Sequence, residues 1–109
     1  MNSPTRRQKI EAMLASEPMD QFLRYALAME LEKEGEHEFS LETFRGLMRD
    51  ATPHVPSFLM AGQSLTRQGR IDEAREVLRT GIEEARRQNN AHAAGEMSEL
   101  LASLGSAGA

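Results

Sequence analysis

Residues 55 to 88 read VPSFLMAGQSLTRQGRIDEAREVLRTGIEEARRQ, and this stretch decides the fold because it half repeats what stands before it. Sliding the chain by 34 residues places Leu31 on Leu65, Gly35 on Gly69, Glu42 on Glu76, Arg45 on Arg79 and Ala51 on Ala85. Conservative matches surround these identities: Ala28 with Gly62, Lys33 with Arg67, Glu38 with Asp72, Phe44 with Leu78 and Met48 with Ile82. A period of this length marks an array of short supersecondary units that bury their apolar faces against one another.

Within each unit the apolar residues recur at helical spacing. Leu23, Leu27 and Leu31 form one stripe, and Leu41, Phe44, Leu47, Met48 and Ala51 form another after Gly35, so two helices per unit are expected. Gly35 and Gly69 can take the left-handed conformation that ends a helix, and Pro18 and Pro53 cannot continue one. Asp20 suits the N-cap of a helix beginning at Gln21. Ala28 with Ser40 and Gly62 with Ala74 are read as the places where the paired helices cross closely, and Phe44, Leu65, Leu78 and Ile82 as core.

In the second unit Phe58, Ala61, Gly62, Leu65, Gly69, Ala74 and Leu78 fall where the tetratricopeptide motif places an aromatic, Leu-Gly, Tyr, the interhelical Gly, Ala and a large apolar residue. The segment resembles that family. The first unit departs from the motif at Arg24, where the aromatic should stand, and at Ser40; Pro53 comes one place late. Extending the offset backwards puts Ile10 on Phe44, Met13 on Leu47 and Leu14 on Met48, so residues 4 to 16 resemble the second helix of a truncated unit. Beyond Gln88, two extra residues near Asn89 and Asn90 bring Ala94 onto Phe58, Met97 onto Ala61 and Leu101 onto Leu65, as in a first helix serving as a cap. The expectation is an all-α, short right-handed solenoid of about six antiparallel helices. Residues 1–20 hold a capping helix, 21–54 and 55–88 the two units, 89–104 a second cap and 105–109 a disordered tail, all in one domain.

Composition narrows the function. The 109 residues suit one core, and 39% hydrophobic with 28% charged residues is a folding balance. A net charge of -4 and the lack of an aromatic platform beside the Arg residues argue against nucleic acid as a partner. The absence of cysteine excludes disulfides, thiolate metal sites and thiol nucleophiles, and with no signal-like or membrane-length apolar run the cytoplasm is the expected location, without a membrane partner.

No catalytic constellation emerges. His37, His54 and His92 lie in different units without a ligand partner at helical spacing, and each is expected exposed at a helix start. The glycines form no phosphate-cradling motif, so no cofactor is implied. Glu30, Glu32, Glu34, Glu36, Glu38 and Glu42 alternate around a helix and read as a solvated helix end rather than converging carboxylates. The Arg residues of the second helices interleave with Glu in helix-supporting pairs.

What the resemblance implies is a non-enzymatic module that binds another protein or a peptide in a concave groove lined by first helices. Carried over by position from Gly35, the groove residues are Phe22, Tyr25, Met29, Glu32 and Lys33; from Gly69 they are Pro56, Leu59, Gln63, Thr66 and Arg67. Tyr25, Met29, Leu59 and Gln63 stand where relatives that grip C-terminal carboxylates carry Lys and Asn, which argues against such a clamp. The protein-binding set is therefore Phe22, Tyr25, Met29, Lys33, Leu59, Gln63 and Arg67, with a second copy forming a homodimer, or the chain's own terminal helices, as other occupants. The rival reading is a small metal-dependent helical enzyme or sensor.

Overall fold

The computed structural model describes residues 3–107, and these form six α-helices with no strand among the described residues. In chain order they are α1 (Arg6–Ser16), α2 (Gln21–Lys33), α3 (His37–Met48), α4 (Val55–Arg67), α5 (Ile71–Arg87) and α6 (Ala91–Ala107). Each helix packs on the next, and α4 also touches α6. The result is an elongated all-α stack of 53 × 29 × 19 Å in which α2 with α3 and α4 with α5 are the complete units.

The ends of the helices are set by short polar signals. Thr5 Oγ1 accepts the Gln8 N–H at 3.1 Å while Gln8 Oε1 accepts the Thr5 N–H at 2.8 Å, a reciprocal cap for α1. Asp20 caps α2 as expected, accepting from the Leu23 N–H at 2.8 Å, and Asn90 does the same for α6 at Ala93. Gly35 (φ 80°) and Gly69 (φ 76°) end α2 and α4 in the left-handed region. The following amides reach back to Leu31 O and Leu65 O at 2.9 and 2.8 Å, closing the same C-terminal motif twice. A third instance ends α5, where Asn89 adopts φ 61° and the Asn90 N–H meets Ala85 O at 2.7 Å. Pro56 sits in the first turn of α4, where a missing N–H costs no helical bond.

Close crossings hold the pairs together. Ala28 and Ser40 are fully buried, and the Ser40 hydroxyl donates to Ala28 O at 2.9 Å. A Cβ on Gly62 would lie 2.6 Å from Leu78 Cδ2, so the second crossing is close and an added methyl group would make the Leu78 side chain shift. A third contact was not anticipated: a Cβ on Gly81 would lie 2.5 Å from Phe58 Cβ and 2.6 Å from Met97 Sδ, which seats α5 against α4 and α6 at once. Phe44, Leu47, Leu65, Leu78 and Met97 are buried between the layers.

Arg24, the departure from the motif, has a physical explanation. Its guanidinium passes Gly46, where a Cβ would stand 3.4 Å from Nη2, and grips Asp50 through two bonds of 2.7 and 3.1 Å. Gln21 Nε2 donates to the same carboxylate at 2.9 Å. An ion pair thus fills the position that an aromatic fills in the second unit.

Three expectations need correction. Ile10 is buried and Leu14 half-buried, but Met13 is 54% exposed and does not dock as Leu47 does, because no described helix precedes α1 to cover that side. The glutamate run is not uniformly solvated: Glu30 is buried and Glu32 half-buried, both held by cations. Of the histidines, all begin helices, yet only His92 is exposed; His37 and His54 are half-buried. Helix α6 continues to Ala107, past Leu104, and the last two residues of the expected tail lie outside the described residues.

Candidate protein-interaction surface

Phe22, Tyr25, Met29 and Lys33 share one side of α2, following from their spacing of three and four residues. The structure brings these four together with Arg6, Ala26 and Glu30 around a shallow depression of about 240 Å³ between α1 and α2. Its floor is graded. Tyr25 and Met29 are half-buried and lean on the core, whereas Phe22 is 76% exposed. Tyr25 is fixed by two rings, with His54 at 4.9 Å and Phe44 at 6.0 Å between centroids, and burial pushes its phenol pKa up. His54 in turn is held below the ordinary imidazole value by burial, and its Nδ1 lies 2.8 Å from Ser57 Oγ.

The rim is charged and locally balanced. Glu30 Oε1 sits 2.6 Å from Arg6 Nε and 3.7 Å from Lys33 Nζ, so one buried carboxylate tethers both exposed cations. Phe22 also lines a second depression of about 420 Å³ on its other side, with Met13, Ser16, Glu17, Asp20 and Leu23. Met19, 72% exposed, lies in the same α1–α2 corner of the chain. The large exposed apolar side chains Met13, Met19 and Phe22 thus gather at one end of the stack, while Phe39 (60% exposed) stands apart on α3.

The α4 members of the expected groove do not join this depression. Leu59 is half-buried against the core and Gln63 is half-buried beside it in sequence on α4. Arg67 is occupied: its Nη2 lies 3.3 Å from Glu32 Oε1. That oxygen also accepts the Ser64 hydroxyl at 2.6 Å and stands 2.9 Å from His37 Nδ1, while Glu32 Oε2 is buried with no partner. Burial alone would raise the Glu32 pKa, but hydrogen bonding from Ser64 and Ser40, together with His37 and Arg67, outweighs it and holds the carboxyl below its ordinary value. The cluster clamps α2 to α4.

Sequence reasoning placed Phe22, Tyr25, Met29 and Lys33 on one face but missed Arg6, Ala26, Glu30 and Met13. The available signal was the alignment of α1 with a second helix, which leaves the adjoining side of α2 without a neighbour. Among the described residues no group of three or more His or carboxylate side chains is arranged to hold a metal ion, and no helix is long and apolar enough to cross a membrane.

The architecture defines a two-unit helical-repeat stack with half units at its ends. A solution structure of a tetratricopeptide repeat domain protein from Salinibacter ruber is similar to it, with 29% identity, 80% of this chain and 88% of that one covered, and a TM-score of 0.75. A crystal structure of a tetratricopeptide repeat domain protein from the same organism gives 28% identity, 78% and 96% coverage and a TM-score of 0.70. A solution structure of a Bordetella parapertussis protein shares the fold at 23% identity, with 94% and 90% coverage and a TM-score of 0.78. No protein-family model and no curated protein matches the chain. The fold is that of a small all-α tetratricopeptide-repeat protein.

Proposed function

We propose that this chain is a non-enzymatic protein-interaction module that takes a partner segment at the α2 depression. Tetratricopeptide-like folds generally mediate protein–protein interaction, and the observation that carries the reading here is Phe22, 76% exposed above the half-buried Tyr25 and Met29. An exposed aromatic beside an adaptable methionine, rimmed by cations, has the make-up of an interface anchor. Lys33 and Arg6 complete the contact from the rim. Leu59 leans on the core and Arg67 pairs with Glu32, which favours a binding surface toward the α1 end.

The test is site-specific photo-crosslinking in native lysate from a benzoyl-phenylalanine at position 22, with position 83 on α5 as the reference. Support is a discrete protein adduct at position 22, absent at position 83 and lost on adding Met29→Glu. Equal adducts at both positions, or none at position 22, would remove the depression as a binding surface.

A further inference from the structure

We infer that the partner segment is an amphipathic helix that lays large apolar side chains along α2 and sets a Lys or Arg against Glu17 and Asp20 in the α1–α2 corner. This rests on the reading of the α2 depression as a docking surface and names the chemistry of what docks there. The depression does not end at Phe22. That ring also lines the neighbouring depression of about 420 Å³ with Met13, Leu23, Glu17 and Asp20. On α1, Arg6, Met13 and Glu17 are spaced seven and four residues apart and so border the same side, which makes the two depressions one trench along the α1–α2 seam with Phe22 as the ridge between them. From Asp20 to Lys33 the trench runs about 20 Å at the rise of an α-helix, a length that a docked helix of three to four turns would match.

The lining selects a helix. Its floor is made of side chains on α1 and α2, whose backbone groups are satisfied within their own helices, and no strand edge exists among the described residues. An extended segment laid on Met13, Leu23, Phe22 and Met29 would leave its peptide groups without partners, whereas a helix brings its backbone bonds with it. Of the four large apolar side chains left exposed among the described residues, Met13, Met19 and Phe22 stand at this corner, and methionine adapts to the shape it meets.

Charge decides which end is which. Glu17 is exposed and Asp20 half-buried; Asp20 Oδ1 takes the Leu23 N–H as the α2 cap, and among the described residues no Lys or Arg lines that depression. Lys9, one turn before Met13, stands outside the lining. An apolar site bordered by two carboxylates and no cation complements a segment whose apolar side chains adjoin a positive one. The net charge of -4 adds the same preference at longer range. At the other end of the trench the sign is reversed, because the exposed cations Arg6 and Lys33 share the single carboxylate of Glu30. A cation of the partner is repelled there, so its basic residue is held to the α1–α2 corner and the direction of the docked helix is set.

The test titrates the full, isotope-labelled chain by NMR with three synthetic amphipathic helical peptides that share one Leu-rich face and end in Lys-Lys, Gln-Gln or Glu-Glu. At low ionic strength the Lys-ended peptide is expected to bind about tenfold tighter than the Glu-ended one, shifting the amides of Met13, Met19 and Phe22, and the preference should shrink in about 0.5 M salt. Glu17→Gln with Asp20→Asn should abolish that preference while the Gln-ended peptide binds as before; Asn also caps a helix, so α2 keeps its start. Removing two exposed carboxylates elsewhere, Glu83→Gln on α5 with Glu99→Gln on α6, should leave the preference intact. A preference that is absent, reversed or equally lost in the Glu83 and Glu99 variant would overturn the basic partner. If all three peptides bind alike at Phe22, the docking surface stands and the charge preference falls. If no peptide shifts these amides, the helical partner is refuted, and the crosslink at position 22 decides separately whether the docking surface stands. Shifts of Met19 and Phe22 that follow protein concentration without peptide would give the corner to a second copy instead.

Discussion

Replacing Gly81 by Ala should destabilise the fold more than replacing Gly62 by Ala, although both put a methyl group into a helix crossing. At Gly62 the new Cβ meets Leu78 Cδ2 at 2.6 Å and Cγ at 2.9 Å, atoms toward the end of a side chain that can turn. At Gly81 it meets Phe58 Cβ at 2.5 Å, an atom fixed to its own backbone, so α4 and α5 must separate; Met97 Sδ at 2.6 Å must move as well. Overpacking of this kind costs about 1–3 kcal/mol, and the gain in helix propensity from Gly to Ala returns up to ~1 kcal/mol. For Gly62→Ala the two nearly cancel. For Gly81→Ala a net loss of about 1–2 kcal/mol is expected, or roughly 4–16 °C in Tm for a domain of this size. Urea unfolding of the two variants beside wild type gives the numbers directly, and adding Met97→Ala should recover little of the Gly81→Ala loss because Phe58 Cβ stays in place. A Gly81→Ala protein as stable as wild type would refute the claim that this crossing is set by backbone approach.

Asn89→Gly should be neutral or slightly stabilising and Asn89→Ala should cost about 1 kcal/mol, since φ 61° is strained for alanine; thermal melts of the pair decide it. Asp50→Ala should cost about 1–3 kcal/mol by leaving the half-buried Arg24 guanidinium without its two bonds, whereas the double variant with Arg24→Leu should recover part of the loss. The folded pKa of Glu32 lies below the unfolded value of 4.5, so its contribution is fully present above that pH and is lost as pH falls through the folded pKa. In Glu32→Gln the acid limb of a stability-against-pH curve should therefore flatten, and an unchanged limb would show that the α2–α4 clamp does not depend on the charge.

The repeat was legible because it is written twice in one chain. Gly35 and Gly69 fix the unit length by backbone chemistry, and the apolar stripes around Leu31, Leu65, Phe44 and Leu78 fix two helices for each unit. The caps were legible for the same reason: Asp20 and the two-residue shift at Asn89 and Asn90 are local signals. What stayed hidden depends on three helices meeting at once. Gly81 looks like any glycine on a polar helix until Phe58 and Met97 are brought to it from α4 and α6. Arg24 looks like a broken motif until Gly46 and Asp50 arrive from α3 and the turn after it. The interaction surface was half legible. Spacing put Phe22, Tyr25, Met29 and Lys33 on one face, but whether α1 covers that face is a matter of how far it leans, and no pattern of residues within α2 records it.

Helix α1 is anchored by one buried side chain, Ile10, by the pair of the exposed Arg6 with the buried Glu30, and by the more exposed pair of Arg7 with Glu34. With a single buried residue, α1 detaches at far less cost than α4 or α5 opens, each of which buries six or more residues. Amide protons of α1 should exchange fastest of the six helices, and those of α4 and α5 near the global limit. The stack is therefore graded in rigidity along its length. Its loosest segment borders Phe22, so transient release of α1 widens the cleft at the end where that ring is exposed, and the entropy lost on docking there is paid mainly by one short helix.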